Sequence, residues 1–210
     1  MAIHPAPSKS TLTRAIPYLL LIGGTIGLIC SFIISLDKLK LLENPNFKPN
    51  CDLNPIISCL SVMSSKQGSV FGFPNPWIGL VAFGVLVTIG VGLLAGAKFK
   101  RWFWLGLEAS AVLGTVFAYW LLYESVYAIK ALCPYCLTVD VVVTTLFWYL
   151  TLHLIERRFI VLPKGKAWQA GAAFVRRHHL DILVLWFLIV IVIILKHFWY
   201  YFGPHWFGWL

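Results

Sequence analysis

Charge is what this sequence has least of. Charged residues make up 12% of its 210 positions and hydrophobic residues 60%, against about 25% charged in an average soluble domain. So little polar surface cannot coat a soluble globule. A soluble enzyme with a single core is therefore excluded, and so is a disordered chain. Acidic residues are the scarcer kind, 8 against 17 Lys and Arg, for a net charge of +9. A basic surplus usually points to nucleic acid, but here the cations sit in short segments between apolar blocks, where membrane topology accounts for them. No nucleic-acid partner is expected. There is also no internal repeat, no low-complexity tract and no glycine-rich phosphate loop.

What the chain does have is apolar runs of membrane-spanning length. Five segments qualify: Ala15–Leu36, Trp77–Ala97, Trp102–Tyr123, Cys136–Ile155 and Ile182–Phe202. Each reaches the roughly 20 helical residues that a bilayer core requires. Backbone groups in lipid must pair within a helix or a closed barrel, and no dyad alternation is present. The expected fold is an all-α integral membrane protein with five transmembrane helices. Cations concentrate at Lys9 and Arg14, at Lys98, Lys100 and Arg101, and between Arg157 and Arg177, giving 11 of the 17 on one side. The positive-inside rule then sets residues 1–14 and the basic loop 156–181 in the cytoplasm. The loop 37–76 and a short aromatic tail, 203–210, lie outside. The first span exceeds the 7–15 residues of a signal-peptide core and lacks a small-residue cleavage site, so it reads as a retained anchor. Trp77, Trp102, Trp104 and the tail from His197 read as interfacial belts. Glu108, about two turns into the third span, is expected to reach the inner surface.

Five cysteines remain: Cys30, Cys51, Cys59, Cys133 and Cys136. Cys30 falls inside the first span and reads as a small buried hydrophobe. Cys133-Pro134-Tyr135-Cys136 opens the fourth span. Proline suits the first helical turn, where its missing N–H is unpaired anyway, and the helix dipole there favours thiolate. This is the setting of a redox couple. A C-x-x-C also serves as half of a zinc site, but the partner pair is C-x7-C, and no histidine lies near either pair. No metal is expected.

In the outer loop, Asn54-Pro55 reads as a helix N-cap with proline at N1. The helix predicted there carries Ile56, Cys59, Leu60 and Met63 on one apolar stripe. Cys59 then faces the bundle, while Cys51, ahead of the helix, stays in mobile loop and faces a soluble partner. Four cysteines allow three pairings, and spacing does not choose among them.

These residues resemble the vitamin K epoxide reductase family. The resemblance rests on the loop Cys51–Cys59, the run Ser69-Val70-Phe71-Gly72-Phe73-Pro74-Asn75-Pro76 and the motif Cys133–Cys136, and it spans roughly residues 15–155. It is nearest to the prokaryotic members. It implies four helices bundled around a quinone of menaquinone, ubiquinone or phylloquinone type, and an enzyme that re-oxidises thioredoxin-like proteins at the outer face of the plasma membrane. Cys51 would meet the partner, Cys59 would exchange with Cys133, and Cys136 would contact the quinone together with Met63 and Asn75. The amide of Asn75 would hydrogen-bond a quinone carbonyl; otherwise it is a turn residue between two prolines. Where the animal enzymes carry a tyrosine, four residues after the second C-x-x-C cysteine, this chain has Asp140. Quinone reduction is therefore expected ahead of epoxide reduction. Asp140 reads either as a proton donor or as a carboxylate snorkelling to the interface. Because the chain ends at Leu210, without the thioredoxin-like domain of many bacterial relatives, a separate DsbA-like partner is implied. Two other readings stay open: a DsbB-type quinone-dependent oxidase on an unrelated scaffold, and a non-enzymatic transporter or assembly protein.

Overall fold

The computed structural model describes residues 11–160 and 165–201. Its helices are α1 (Thr11–Glu43), α2 (Cys59–Ser64), α3 (Pro76–Leu94), α4 (Arg101–Glu124), α5 (Pro134–Glu156), α6 (Lys166–Arg177) and α7 (His179–His197). A 3-10 turn covers Lys66–Ser69, and a π turn, Ser125–Ile129, extends α4. Among the described residues there are no strands, only one bridge, between Ile57 and Leu132. Five helices are long and apolar enough to cross a membrane: α1, α3, α4 with its π turn, α5 and α7. The expected tail 203–210 lies outside the described residues.

Helices α1, α3, α4 and α5 form the bundle. α1 is its hub, packing along α3 and α5, and α5 in turn packs along α4. α1 and α3 come close because both carry glycine at the crossing. A Cβ on Gly90 would stand 2.8 Å from the Leu21 backbone nitrogen, and one on Gly27 would run into the Phe83 ring. Small residues are how membrane helices gain close packing without a hydrophobic drive toward each other. Ile16, Leu20, Phe83, Leu107, Leu146 and Leu150 fill the core.

Three expectations are corrected here. Trp104 is not an interfacial belt residue: it is 6% exposed, with its ring 4.7 Å from that of His153. Glu108 does not reach the inner surface. It is buried between α4 and α5, where the Thr151 hydroxyl donates to its Oε1. In both cases the α4–α5 interface captures a side chain that would otherwise have extended toward water. The basic segment after α5, read as loop, contains α6. Its apolar residues, Trp168, Phe174 and Val175, are too few to raise mean hydropathy; they signal only through helical periodicity.

α7 stands at the edge of the bundle with no buried residue in its span. It is nonetheless tied down at its first residue, at Trp186 and just past its last residue. Trp148 Nε1 donates to the His179 carbonyl at 3.1 Å, and Trp186 Nε1 donates to the Tyr119 hydroxyl at 2.6 Å. Phe198, fully buried, packs on Ile56, Val126 and Leu132.

Candidate functional site

The loop between α1 and α3 is shaped by short polar side chains. Asn54 Oδ1 accepts from the backbone N–H groups of Ile56 and Ile57, at 3.0 and 2.7 Å. That closes an Asx turn, not the helix start predicted from Asn54-Pro55. The chain then runs extended through Ile57, clamped to the turn before α5 by Leu132 N–H to Ile56 O at 2.6 Å and Ser58 N–H to Leu132 O at 3.0 Å. Only after this does α2 begin, with Ser58 as N-cap accepting from the Ser61 N–H at 3.1 Å. Cys59 is its first residue. At the other end, Lys38 Nζ donates to the Met63 carbonyl at 2.7 Å, tying α2 to α1.

The clamp sets two helix N-termini against each other. Cys133 is the N-cap of α5 and Cys59 opens α2; their sulfurs lie 3.3 Å apart. Cys51 and Cys59 are joined in a disulfide, and Cys133, Cys136 and Cys30 are free thiols. Contrary to expectation, Cys51 does not sit in open loop. It is 7% exposed and packs with Ile34, Cys59, Met63 and Cys133, because the disulfide draws it under α2. Cys30 is buried in α1, as its apolar surroundings suggested. The Cys133 thiol is held below the ordinary thiol range. The Cys136 thiol hydrogen-bonds it, and the backbone N–H groups of Cys136 and Tyr135 at the helix start act in the same sense, against the opposing effect of burial. A thiol beside a disulfide, with its thiolate favoured, is set up for exchange.

Beneath the four cysteines a cavity of about 210 Å³ opens within the bundle. For scale, a void of about 150 Å³ takes up benzene. Its walls are largely apolar, from Ile34, Ala82, Phe83, Phe117, Leu121 and Val143. A few polar groups break this lining: Cys133, Cys136, Gln67, Asn75 and Asp140 all line the cavity, as does Met63. An apolar chamber with a few convergent polar groups is the usual form of a small-molecule site.

Asn75 has a structural task. Its Nδ2 donates to the Gln67 carbonyl at 2.6 Å and its Oδ1 accepts from the Val70 N–H at 3.1 Å. Gln67 Nε2 in turn donates to Glu124 at 3.0 Å, linking this loop to the end of α4. The second hydrogen on Asn75 Nδ2 has no acceptor among the described residues. Asp140 lines the cavity one turn below Cys136, and among the described residues its carboxylate has no hydrogen-bond donor.

The structure thus brings together the residues proposed for the relay and the cavity: Cys51, Cys59, Met63, Asn75, Cys133, Cys136 and Asp140. It adds Lys38, Gln67 and Leu132, which position α2 and the cavity mouth. Lys38 was hidden because its partner is a backbone carbonyl 25 positions away. Leu132 carries no polar signal at all. No group of three or more metal-ligating side chains occurs among the described residues.

No curated protein matches the chain in sequence. A family match does exist: residues 18–151 fit the model of the vitamin K epoxide reductase family. The matched stretch takes in both cysteine pairs and nearly all of the four-helix bundle that holds the cavity, so the chain belongs to the vitamin K epoxide reductase family, as a multi-pass membrane oxidoreductase.

Proposed function

We propose that this protein passes electrons from a thioredoxin-like protein to a membrane quinone, and so supports disulfide formation in exported proteins. The observation that carries the reading is the 3.3 Å approach of Cys59 to Cys133, with Cys136 on the cavity wall directly behind. A disulfide and a dithiol in sulfur contact can exchange through a mixed disulfide without moving the bundle.

The balance is that of two consecutive two-electron exchanges. A partner dithiol attacks the Cys51–Cys59 disulfide at Cys51, leaving as a disulfide and giving two electrons and two protons. The reduced Cys59 then attacks an oxidised Cys133–Cys136 pair at Cys133. Closure of Cys51 on Cys59 releases Cys133, which restores the pairing seen here: Cys51–Cys59 oxidised and Cys133 and Cys136 reduced.

The cavity fits a quinone head in size and in its apolar walls broken by a few polar groups. A quinone bound there supplies the oxidant, accepting two electrons and two protons. Cys136 and Met63 would lie against it, Asn75 would offer its free amide hydrogen to a ring oxygen, and Asp140 would hold a proton one turn from Cys136. Because Cys51 is buried, the loop around it must loosen before a partner thiol can reach that sulfur. The cation distribution supports an orientation with the cysteines on the outer face of the plasma membrane.

The test is dithiol-dependent quinone reduction by the purified protein, beside its Cys136→Ala variant. Turnover by wild type that is lost in the variant is the expected result. Absence of turnover with benzoquinone- and naphthoquinone-type acceptors in lipid overturns the reading, and a non-enzymatic role then becomes the better one.

A further inference from the structure

Redox chemistry leaves α6 without a task. At 3.6 residues per turn, Trp168, Gly171, Phe174 and Val175 fall on one side of this helix, and Gln169, Arg176 and Arg177 on the other. Trp168 and Phe174 are 59% and 60% exposed, and the main neighbour of the helix within the described chain is α7, which it touches only briefly. No acidic residue lies in it. The nearest one along the chain, Asp181, is paired with His178 at 2.9 Å. Arg176 Nε donates to the Ala172 carbonyl at 3.3 Å, which leaves the rest of its guanidinium free.

The depth of α6 is fixed by its neighbours. It ends where α7 begins, and His179 is held there by α5: its carbonyl accepts from Trp148, and its Nδ1 lies 3.4 Å from the Tyr149 hydroxyl. Tryptophan and tyrosine mark the level where acyl chains give way to headgroups. α5 continues past this level to Glu156, about 10 Å further. α6 therefore leaves the bundle at the membrane–water boundary, on the side opposite the cysteines. An aromatic face there meets acyl chains, and a basic face meets headgroups.

We propose that α6 is an interfacial helix that binds anionic phospholipid headgroups through Arg176 and Arg177, with Trp168 and Phe174 seated in the acyl boundary, so that it anchors the first turn of α7. The occupant is a lipid surface because the helix is continuous with a membrane span and its free charges are all of one sign. A cation at an anionic surface favours attachment by about fivefold, so the two arginines together give about thirtyfold.

The test is amide hydrogen exchange over residues 168–177 in the full chain, in nanodiscs of phosphatidylcholine alone and of phosphatidylcholine mixed with phosphatidylglycerol. Exchange in wild type should be about tenfold or more slower in the anionic discs. The Arg176→Gln, Arg177→Gln double variant should lose that difference, while Trp168→Ser with Phe174→Ser should speed exchange in both lipids. Amides of α5, followed in the same samples, report whether each variant keeps its fold. Equal exchange of wild type in the two lipids overturns the proposal. So does protection that disappears when the chains are diluted among excess discs, since that means a second copy covers the helix.

Discussion

α5 and α7 invert the usual link between hydrophobicity and burial. The most apolar window of α5 has a mean hydropathy of 1.5 and 39% of it is buried; that of α7 reaches 2.5 and none of it is buried. In water this order would be perverse. In lipid an apolar side chain gains little by exchanging acyl chains for protein, so the most apolar helix is left outside. α5 is drawn in by groups that lipid serves badly: Thr144 donates to the Tyr119 hydroxyl at 3.2 Å, Thr151 donates to Glu108, and Cys133, Cys136 and Asp140 face the cavity. α7 touches the bundle mainly through a few contacts near its ends and at Trp186. Changes of similar size should therefore have very different effects on the two helices.

The largest expected effect is at the start of α5. Cys133→Ala removes the thiol that lies 3.3 Å from Cys59 of the Cys51–Cys59 disulfide, and dithiol-dependent quinone reduction should fall by about a thousandfold or more. Retention of a tenth of the wild-type rate would break the assignment of Cys133 to the relay. A pH profile sharpens the same point. With its titration lowered, Cys133 keeps its thiolate below the ordinary thiol range, and reactivity is lost only as pH falls through that lower value. Its reaction with a small methanethiosulfonate, followed by mass spectrometry, should therefore persist at lower pH than that of a free cysteine. Cys136→Ala removes the leading cause of the shift, so the fall in rate should move to higher pH.

Next in size is Asp140→Asn, which keeps shape but removes from the cavity wall the carboxyl group proposed to hold a proton. Quinone reduction should drop by about a hundredfold, in the range typical of general acid–base groups, with dithiol exchange between the cysteine pairs unchanged. An equal loss in both steps would make Asp140 a structural residue. Gly27→Leu acts on packing alone. Its side chain must displace the Phe83 ring at the α1–α3 crossing, which should cost about 1–3 kcal/mol and lower the unfolding temperature in detergent by several degrees.

The bundle was readable in the sequence because the bilayer imposes a length and forbids unpaired backbone. The two cysteine pairs were readable because their spacing and Pro134 placed one of them at a helix start. What escaped was set by contacts between distant segments. Asn54 has the right chemistry for a helix cap, yet pairing of Ile56 and Ser58 with Leu132 holds the following residues extended and delays α2 to Cys59. Lys130, in the left-handed region at φ 59°, ends the π turn without a glycine to announce it. Trp104 and Glu108 looked like boundary residues until the α4–α5 interface enclosed them. Burial of Cys51 follows from a disulfide whose pairing could not be counted from spacing.

The smallest effects belong to α7, and they test the comparison most directly. Ile191, 49% exposed, faces a medium as apolar as itself. Ile191→Ala should change stability by no more than about 0.5 kcal/mol, although the same truncation in a soluble core costs about 2–5 kcal/mol. Trp186→Phe keeps the bulk and removes one hydrogen bond to the Tyr119 hydroxyl, and such bonds in membranes average about 0.6 kcal/mol. It should therefore exceed Ile191→Ala by only a small margin, and quinone reduction should be unchanged in both. Thermal unfolding of both variants in the same lipid decides the matter. If Ile191→Ala costs as much as a core truncation, α7 is packed against protein at that position, and its lipid exposure here would reflect a missing neighbour, not a preference for lipid.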